Sequence, residues 1–135
     1  MEGPNDQVVC IRKPQNGNPA DPRYVQFPGG KKNPREHGPQ ETAKREVEEE
    51  TGIPVPFSQL KLKATEQDFN HHHHPYKLHL YRTWPRLSQA QLDRRKAKGV
   101  EGEEILVFTW QELNAMDDFS PKHRALAEKH GLWKN

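Results

Sequence analysis

The chain has 135 residues, of which 31% are hydrophobic and 30% are charged. A chain of this length has room for one hydrophobic core, so we expect a single domain over residues 1–135. The net charge is +2, from 21 basic and 19 acidic residues, and this near balance does not by itself indicate a partner. Cys10 is the one cysteine. A disulfide within the monomer is therefore excluded, which favours a reducing, cytoplasmic setting.

The first residues contain neither the basic nor the apolar segment of a signal peptide, and no apolar run is long enough to cross a membrane. The apolar run within Gln7–Arg12 predicts a buried strand, and the Pro-, Asn- and Gly-rich residues 13–23 predict a loop. Tyr24–Phe27 predicts a second strand. It is followed by Pro28-Gly29-Gly30, where paired glycines allow a sharp turn close to another group, either the next helix or a ligand phosphate.

A short acidic helix is predicted between Pro39 and Gly52, a first-turn proline and a glycine stop. Its glutamates at i, i+3 and i+4 are Glu46, Glu49 and Glu50, and this spacing puts all three carboxylates on one face. Clustered carboxylates repel each other without a cation, and oxygen ligands suit Mg²⁺ or Mn²⁺. Arg45, with Glu41 and Glu49 within helical reach, could orient one of these carboxylates.

Residues 27–53 together resemble the Nudix box of the Nudix hydrolases. The second half of that motif matches without a gap as Arg45-Glu46-Val47-Glu48-Glu49-Glu50-Thr51-Gly52-Ile53, and the first half matches at Gly30 and Glu36. Eight residues, where the family has seven, separate Glu36 from Arg45. The extra residue falls just before the helix, where a loop can absorb it.

The resemblance implies an α/β fold, the Nudix αβα sandwich with a small mixed sheet between helices. It also implies a metal-dependent hydrolase that cleaves a pyrophosphate linkage in a nucleoside diphosphate derivative, with a nucleoside triphosphate or related small nucleotide favoured. Carried onto this chain, the metal ligands are Glu46, Glu49 and Glu50, with Mg²⁺ (or Mn²⁺) as the cofactor. Arg45, Glu46 and Glu49 join the catalytic set. Gly29, Gly30 and Lys31 border the substrate phosphates, with Lys32, Arg35 and Arg12 as electrostatic helpers.

Nudix domains usually carry another strand before the one predicted at Gln7–Arg12. The six residues that precede Gln7 leave little room for it. We therefore expect either a trimmed fold or a sheet position filled in another way, for instance by a second subunit, because proteins usually cover exposed sheet edges. Both a monomer and a homodimer remain open.

Two further strands are predicted at residues 57–68 and 76–84, the first with Leu60, Leu62 and Ala64 on one face. His71–His74 lies between them. Imidazole is a common transition-metal ligand, but consecutive loop residues point in different directions, so a solvated hairpin turn is the favoured interpretation.

Residues 88–99 predict a thin surface helix with a Ser cap and a glycine stop. Its basic residues are Arg94, Arg95, Lys96 and Lys98. They could steer a polyanion, including RNA, although the absence of aromatic residues among them favours a solvated face.

The resemblance also implies a glutamate outside the box that binds a further metal ion or acts as general base. Glu104 is the first candidate, Glu103 the second and Glu101 the third. Trp110 could stack on a base or lie in the core. Beyond it we expect a short helical turn, then a C-terminal helix that begins at Ser120-Pro121 and stops at Gly131, sealed by residues 132–133.

Two alternatives to the small-nucleotide hydrolase remain from the sequence. One is a non-catalytic Nudix-like module that binds nucleotide or protein. The other is an enzyme that removes pyrophosphate from RNA 5′ ends.

Overall fold

The computed structural model describes residues 1–30, 35–70 and 72–133. Its centre is strand β1 (Gln7–Arg12), which pairs antiparallel with β4 (Glu104–Thr109). Four consecutive residues of β1, Val8 to Ile11, are buried because both faces of the strand are covered. Within the described part of the chain, no helix is long and apolar enough to cross a membrane.

The second edge of β1 is covered by residues of the same chain. Glu2 forms an antiparallel bridge with Val8 at one end, and Gln26 forms another with Ile11 at the other end. The backbone N–H of Glu2 also donates to the Thr83 hydroxyl (3.0 Å), which ties this edge to the neighbouring hairpin. The strand predicted at Tyr24–Phe27 is thus reduced to isolated bridges.

The predicted strands after the box form a hairpin of β2 (Leu60–Phe69) and β3 (Pro75–Thr83). A bulge between Leu62 and Ala64 breaks the predicted alternation, so Leu60 is buried whereas Leu62 is 56% exposed. The α/β class is confirmed. Within residues 1–30, 35–70 and 72–133 the strands form two antiparallel pairs, β1–β4 and β2–β3, and the parallel character expected of a mixed sheet is present as one bridge, Val25–Phe119.

Helix α1 (Pro39–Thr51) has the predicted bounds. Pro39 stands in its first turn, and Gly52 ends it in the left-handed conformation (φ 77°). The apolar side of α1 packs through Val47 on a cluster of buried residues. Its other members are Val9, Ile53, Val55, Leu60, Leu87 and Leu92.

The predicted surface helix is much shorter in the structure. Helix α2 covers Gln89–Leu92, with Ser88 and Gln91 forming a capping box. The basic residues 94–98 follow it as an exposed, non-helical loop. Leu92 is the apolar side chain that anchors this segment, and the polar sequence after it gives a longer helix nothing to bury.

The opposite layer contains α3 (Trp110–Ala115) and α4 (Pro121–Lys129), which confirms both predicted helical segments. Trp110 is 8% exposed and packs edge-to-face on Trp133 (4.7 Å between ring centroids) and on Phe27 (6.0 Å). Of the two alternatives for Trp110, the core position is therefore the observed one. With α1 on one side of β1 and α3 and α4 on the other, the chain is an αβα sandwich.

Candidate active site

The site begins where the last turn of α1 meets the glycine turn. Glu50 is buried, with a relative exposure of 1%. One carboxylate oxygen accepts the backbone N–H of Gly29 (2.7 Å), and the other accepts the Lys13 ammonium (2.7 Å). The turn after residues 24–27 is thereby fixed against the C-terminal end of the helix.

Lys13 follows the last residue of β1, and the strand register explains what surrounds it. Arg12 pairs with Glu104 in the β1–β4 ladder, so the same register continued by one residue places Lys13 opposite Glu103. The Lys13 ammonium lies 3.8 Å from a carboxylate oxygen of Glu103. Burial lowers the pKa of Lys13, but the bond to Glu50 and the charges of Glu50, Glu103 and Glu46 outweigh it, so the pKa is raised overall. A cation is thus held against Glu50 and Glu103, and Glu46 adds to the negative charge around it.

The pKa of the Glu50 carboxyl lies well above its ordinary value of 4.5. Burial raises its pKa to about 7, and the nearby charge of Glu46 acts in the same direction. The Lys13 ammonium and the Gly29 N–H oppose this rise because they stabilise the charged form.

Glu46 lies against the second glycine of the turn. A Cβ added to Gly30 would stand 2.4 Å from the carboxyl carbon of Glu46, closer than atoms can approach. An alanine at position 30 would therefore force the end of the Glu46 side chain to move. Arg45 forms an ion pair with Glu46 (2.8 Å), which orients the carboxylate from the solvent side.

The extra residue of the box does not separate Glu36 from the helix. Glu36 accepts from the Arg45 guanidinium (3.1 Å) and from the hydroxyl of Thr42 (3.2 Å), and its side chain is 8% exposed. These contacts hold the pKa of Arg45 above its usual value, chiefly through Glu36. Glu36 thus anchors the loop to α1 through Arg45.

Glu49 stands apart from the other two box glutamates. It pairs with Arg45 (3.1 Å), as the helical spacing predicts, but 46% of its side chain is exposed. It lines an open cleft of about 560 Å³ on the outer face of α1. That cleft is lined by Glu36, Glu41, Lys44, Arg45, Glu48, Glu49, Phe57, Lys96 and Val100.

Of the three glutamates considered outside the box, Glu103 is the one beside the site. It is buried (2% exposed), and Gly99 lets it approach the end of α1. A Cβ on Gly99 would lie 2.5 Å from a Glu103 carboxylate oxygen and 2.6 Å from the Glu50 carbonyl. Glu104, the first candidate from the sequence, has a half-exposed side chain that approaches Arg23 (4.0 Å) instead. Glu101 donates its backbone N–H to Glu103 (2.9 Å).

Several other predicted contributors lie away from this cluster. Arg12 pairs with Asp118 (2.6 Å). Lys31 and Lys32 lie outside the described residues, as does His71. His72 and His74 belong to an exposed hairpin turn, in which Asn70 accepts both of their backbone N–H groups.

The carboxylates of the site have the donor atoms that a divalent cation prefers. Among residues 1–30, 35–70 and 72–133, no three Asp, Glu, His or Cys side chains converge closely enough to hold a metal ion. Glu50 and Glu103 nevertheless lie within 4 Å of the Lys13 ammonium, and Glu46 adds to the negative charge around it. Their oxygen donors and negative charge fit Mg²⁺ or Mn²⁺. The carboxylates therefore match such an ion in donor type and charge, but their positions do not form a converged ligand set among the described residues.

Sequence reasoning missed Lys13 and Gly99. Lys13 was read as the first residue of a loop, and Gly99 as a helix stop. The pairing register of β1 with β4 is the signal that would have placed Lys13 opposite an acidic residue, but a register is not readable from one strand alone.

Comparison with known proteins gives the family. The sequence profile described as NUDIX domain matches residues 1–130. The chain belongs to the Nudix family. No curated protein matches the chain in sequence.

Two examples of solved structures that share the Nudix fold of this chain are informative. One is a C. elegans Ap4A hydrolase in a binary complex, with a TM-score of 0.60 and 17% identity, covering 93% of this chain and 86% of that one. The other comes from work on MutT of the fish pathogen Aliivibrio salmonicida and of Vibrio cholerae, with a TM-score of 0.57 and 16% identity, covering 96% and 88%. At such identities the likeness shows the fold alone. Family membership confirms the prediction of a Nudix pyrophosphohydrolase at the level of the family.

Proposed function

We propose that this Nudix protein is a metal-dependent hydrolase that cleaves a pyrophosphate linkage in a nucleoside diphosphate derivative, with small nucleotides such as nucleoside triphosphates as substrates. The observation that carries the proposal is that Glu50 and Glu103 lie against one cation, Lys13, while Glu50 and Glu46 lie against the Gly29-Gly30 turn.

The chemistry requires such a site. A pyrophosphate is polyanionic, so attack by water needs the phosphate charge neutralised and the leaving phosphate stabilised. Glu46 and Glu50 would hold the ion, with Glu49 on the exposed side. When bound, Mg²⁺ or Mn²⁺ supplies charge neutralisation and lowers the pKa of bound water.

The protein residues have separable roles in this proposal. Glu103 takes the place of the sequence candidate Glu104 as general base, because its buried carboxylate lies on the site and that of Glu104 does not. The turn at Gly29 and Gly30 borders the substrate phosphates, together with Lys31. Arg45 orients Glu46 and Glu49.

Release of phosphate or pyrophosphate from a panel of substrates tests the proposal. The panel contains nucleoside triphosphates, a dinucleoside tetraphosphate (since one structural relative is an Ap4A hydrolase) and RNA with a 5′ triphosphate. Each is assayed with Mg²⁺, with Mn²⁺ and with chelator, using wild type and Glu49→Gln. We expect metal-dependent turnover that falls by orders of magnitude in the variant. Metal-independent turnover, or an unaffected variant, would refute the assignment.

A non-catalytic binding module is the second candidate, and one observation favours it. Lys13 already supplies a positive charge to the carboxylates that would bind a metal ion. If folded wild-type protein binds nucleotides in a calorimeter but turns over none of the panel, the binding module is the correct assignment.

A further inference from the structure

A second surface with features of a ligand site lies at the base of the β2–β3 hairpin. It is a shallow cavity of about 260 Å³. We call it the Trp84 surface. It is lined by Lys61, Leu62, Lys63, Arg82, Trp84 and Arg86. None of these residues belongs to the box or to the cluster around Lys13.

The aromatic side chain of this surface, Trp84, is largely exposed to solvent. Trp84 is 61% exposed, and Leu62 beside it is 56% exposed. The other tryptophans differ, because Trp110 is buried and packs on Trp133. Large apolar side chains that form a contiguous exposed patch mark interaction sites.

The charge around Trp84 is positive. Arg82 is paired with Glu2 (2.7 Å) and Arg86 with Asp6 (3.0 Å), so these two cations are balanced by carboxylates. Lys61 and Lys63 are exposed, and among the described residues no ion pair involves either of them. The surface therefore carries two net positive charges beside an exposed indole.

Strand geometry explains why these side chains meet. Lys61 is directly opposite Arg82 in the β2–β3 register, and Trp84 follows two residues after Arg82, on the same face. The strand pairing shifts register between Leu62 and Ala64, and both Leu62 and the intervening Lys63 line the same cavity. The backbone N–H of Trp84 donates to the Gln59 carbonyl (2.8 Å), which fixes the base of the indole.

An exposed ring flanked by cations matches one partner chemistry. Single-stranded nucleic acids offer a planar base that stacks on an aromatic ring and phosphates that pair with lysines. We propose that the Trp84 surface binds single-stranded nucleic acid, with one base stacked on Trp84 and backbone phosphates at Lys61 and Lys63. The basic loop at residues 94–98 has no such aromatic side chain within it.

The test is fluorescence anisotropy of a labelled 12-nucleotide oligouridine over a range of salt concentrations. The oligonucleotide has a 5′ hydroxyl and the buffer contains chelator, so the result does not depend on hydrolysis at the Nudix box. Wild type is compared with Trp84→Ala, Trp84→Phe and the double variant Lys61→Gln/Lys63→Gln. The matched control is Arg94→Gln/Lys98→Gln, which removes the same charge from the basic loop. Circular dichroism verifies that each variant is folded.

The variants separate the two parts of the proposed contact. Loss of one stacked base predicts a roughly 5- to 150-fold weaker affinity for Trp84→Ala, with an unchanged salt slope and with affinity retained in Trp84→Phe. Loss of two phosphate contacts predicts a slope of log affinity against log salt that is smaller by about 1.4 in the lysine variant. The control variant Arg94→Gln/Lys98→Gln keeps both the affinity and the salt slope of wild type.

Other outcomes overturn the proposal. These are no binding by wild type, equal binding by wild type and Trp84→Ala, and a larger loss in the loop control than in the lysine variant. Displacement of the oligonucleotide by uridine monophosphate at an equal concentration would show a mononucleotide site instead. Binding of anionic phospholipid vesicles that depends on Trp84, without binding of RNA, would show a lipid surface.

Discussion

Lys13 and Glu50 form an ion pair of 2.7 Å that joins the end of β1 to the end of α1. The partners differ in exposure, since 44% of the Lys13 side chain is exposed and 1% of the Glu50 side chain. Burial raises the pKa of Glu50, and Lys13 is the strongest influence that lowers it. Lys13 is therefore the internal counter-ion of a carboxylate that would otherwise be neutral.

Replacing Lys13 with Met should destabilise the metal-free protein by about 2 kcal/mol at pH 8, the cost of leaving a buried charged acceptor without its partner. The raised pKa of Glu50 should rise further without Lys13. The loss of stability in Lys13→Met should therefore be full at pH 8 and smaller at pH 5, where the Glu50 carboxyl is protonated in the folded protein. Urea unfolding at both pH values measures it.

Two controls accompany the Lys13 variant. Adding Glu50→Gln should restore most of the lost stability, because the buried charge is then gone. Lys129→Met, which removes an exposed pair with Glu66, should cost less than about 1 kcal/mol. Mn²⁺ should raise the melting temperature of Lys13→Met more than that of wild type, since no ammonium competes with the ion. An equal rise in both would contradict the counter-ion role.

The two adjacent glutamates of the 103–104 segment should differ sharply in activity. Glu103→Gln is expected to lower kcat by about 10²- to 10⁴-fold, the usual contribution of a general base. Glu104→Gln, whose side chain approaches Arg23 away from the site, should stay within about threefold of wild type. Steady-state kinetics on the best substrate of the panel decides between them, and the reverse ranking would return the role to Glu104.

The box was predictable from sequence because its structure is local. The bounds of α1 and the Arg45–Glu49 pair depend on nearby residues, and both appear in the structure. Of the three carboxylates predicted to share one face, Glu46 and Glu50 lie together at the glycine turn, and Glu49 lies apart from them. The sequence could not show that Glu50 is buried while Glu49 is half exposed. That difference is produced by the Gly29 turn and Lys13, which pack on only one edge of the helix face.

The elements predicted less well depend on distant partners. The segment Tyr24–Phe27 forms only isolated bridges within the described residues, and its neighbours, Ile11 and Phe119, lie far from it in the chain, so the extent of its pairing could not be read from the local sequence. The long helix at residues 88–99 fails since, of its apolar residues, Leu92 alone is buried. Glu103 was second to Glu104 because one residue of strand register decides which of them faces Lys13.

The two glycines of the turn provide a matched pair of variants. Gly30→Ala should displace the Glu46 carboxylate, from which the new Cβ would be 2.4 Å away, whereas Gly29→Ala meets nothing within 4 Å and keeps its N–H for Glu50. We expect a fall in kcat of at least about tenfold for Gly30→Ala, which is about 1.4 kcal/mol of transition-state stabilisation, and little change for Gly29→Ala. Because the end of the Glu46 side chain can move, both melting temperatures should stay near that of wild type. Equal activity of the two variants would show that the position of Glu46 is not critical.

His123 should make the fold sensitive to mild acid. Its Nδ1 accepts the backbone N–H of Phe27 (2.8 Å), and its ring stacks on that of Phe27 (5.0 Å between centroids). An imidazole nitrogen that accepts a hydrogen bond has to be unprotonated. Burial, with the charge of Lys122, lowers the pKa of His123 from 6.5 to about 4.

A base whose pKa is lowered by folding contributes stability that is complete above its unfolded pKa and is lost as the pH falls through its folded pKa. We therefore expect the free energy of unfolding to fall between pH 6.5 and 4, with about 3 kcal/mol attributable to His123. Other acidic groups titrate in the same range, so the contribution is measured as the difference between wild type and His123→Gln, whose amide oxygen can still accept the Phe27 N–H. The variant should show a flatter pH profile, while His74→Gln in the exposed turn should follow wild type. Parallel profiles for wild type and His123→Gln would mean that the histidine can be protonated in place without breaking its contact with Phe27.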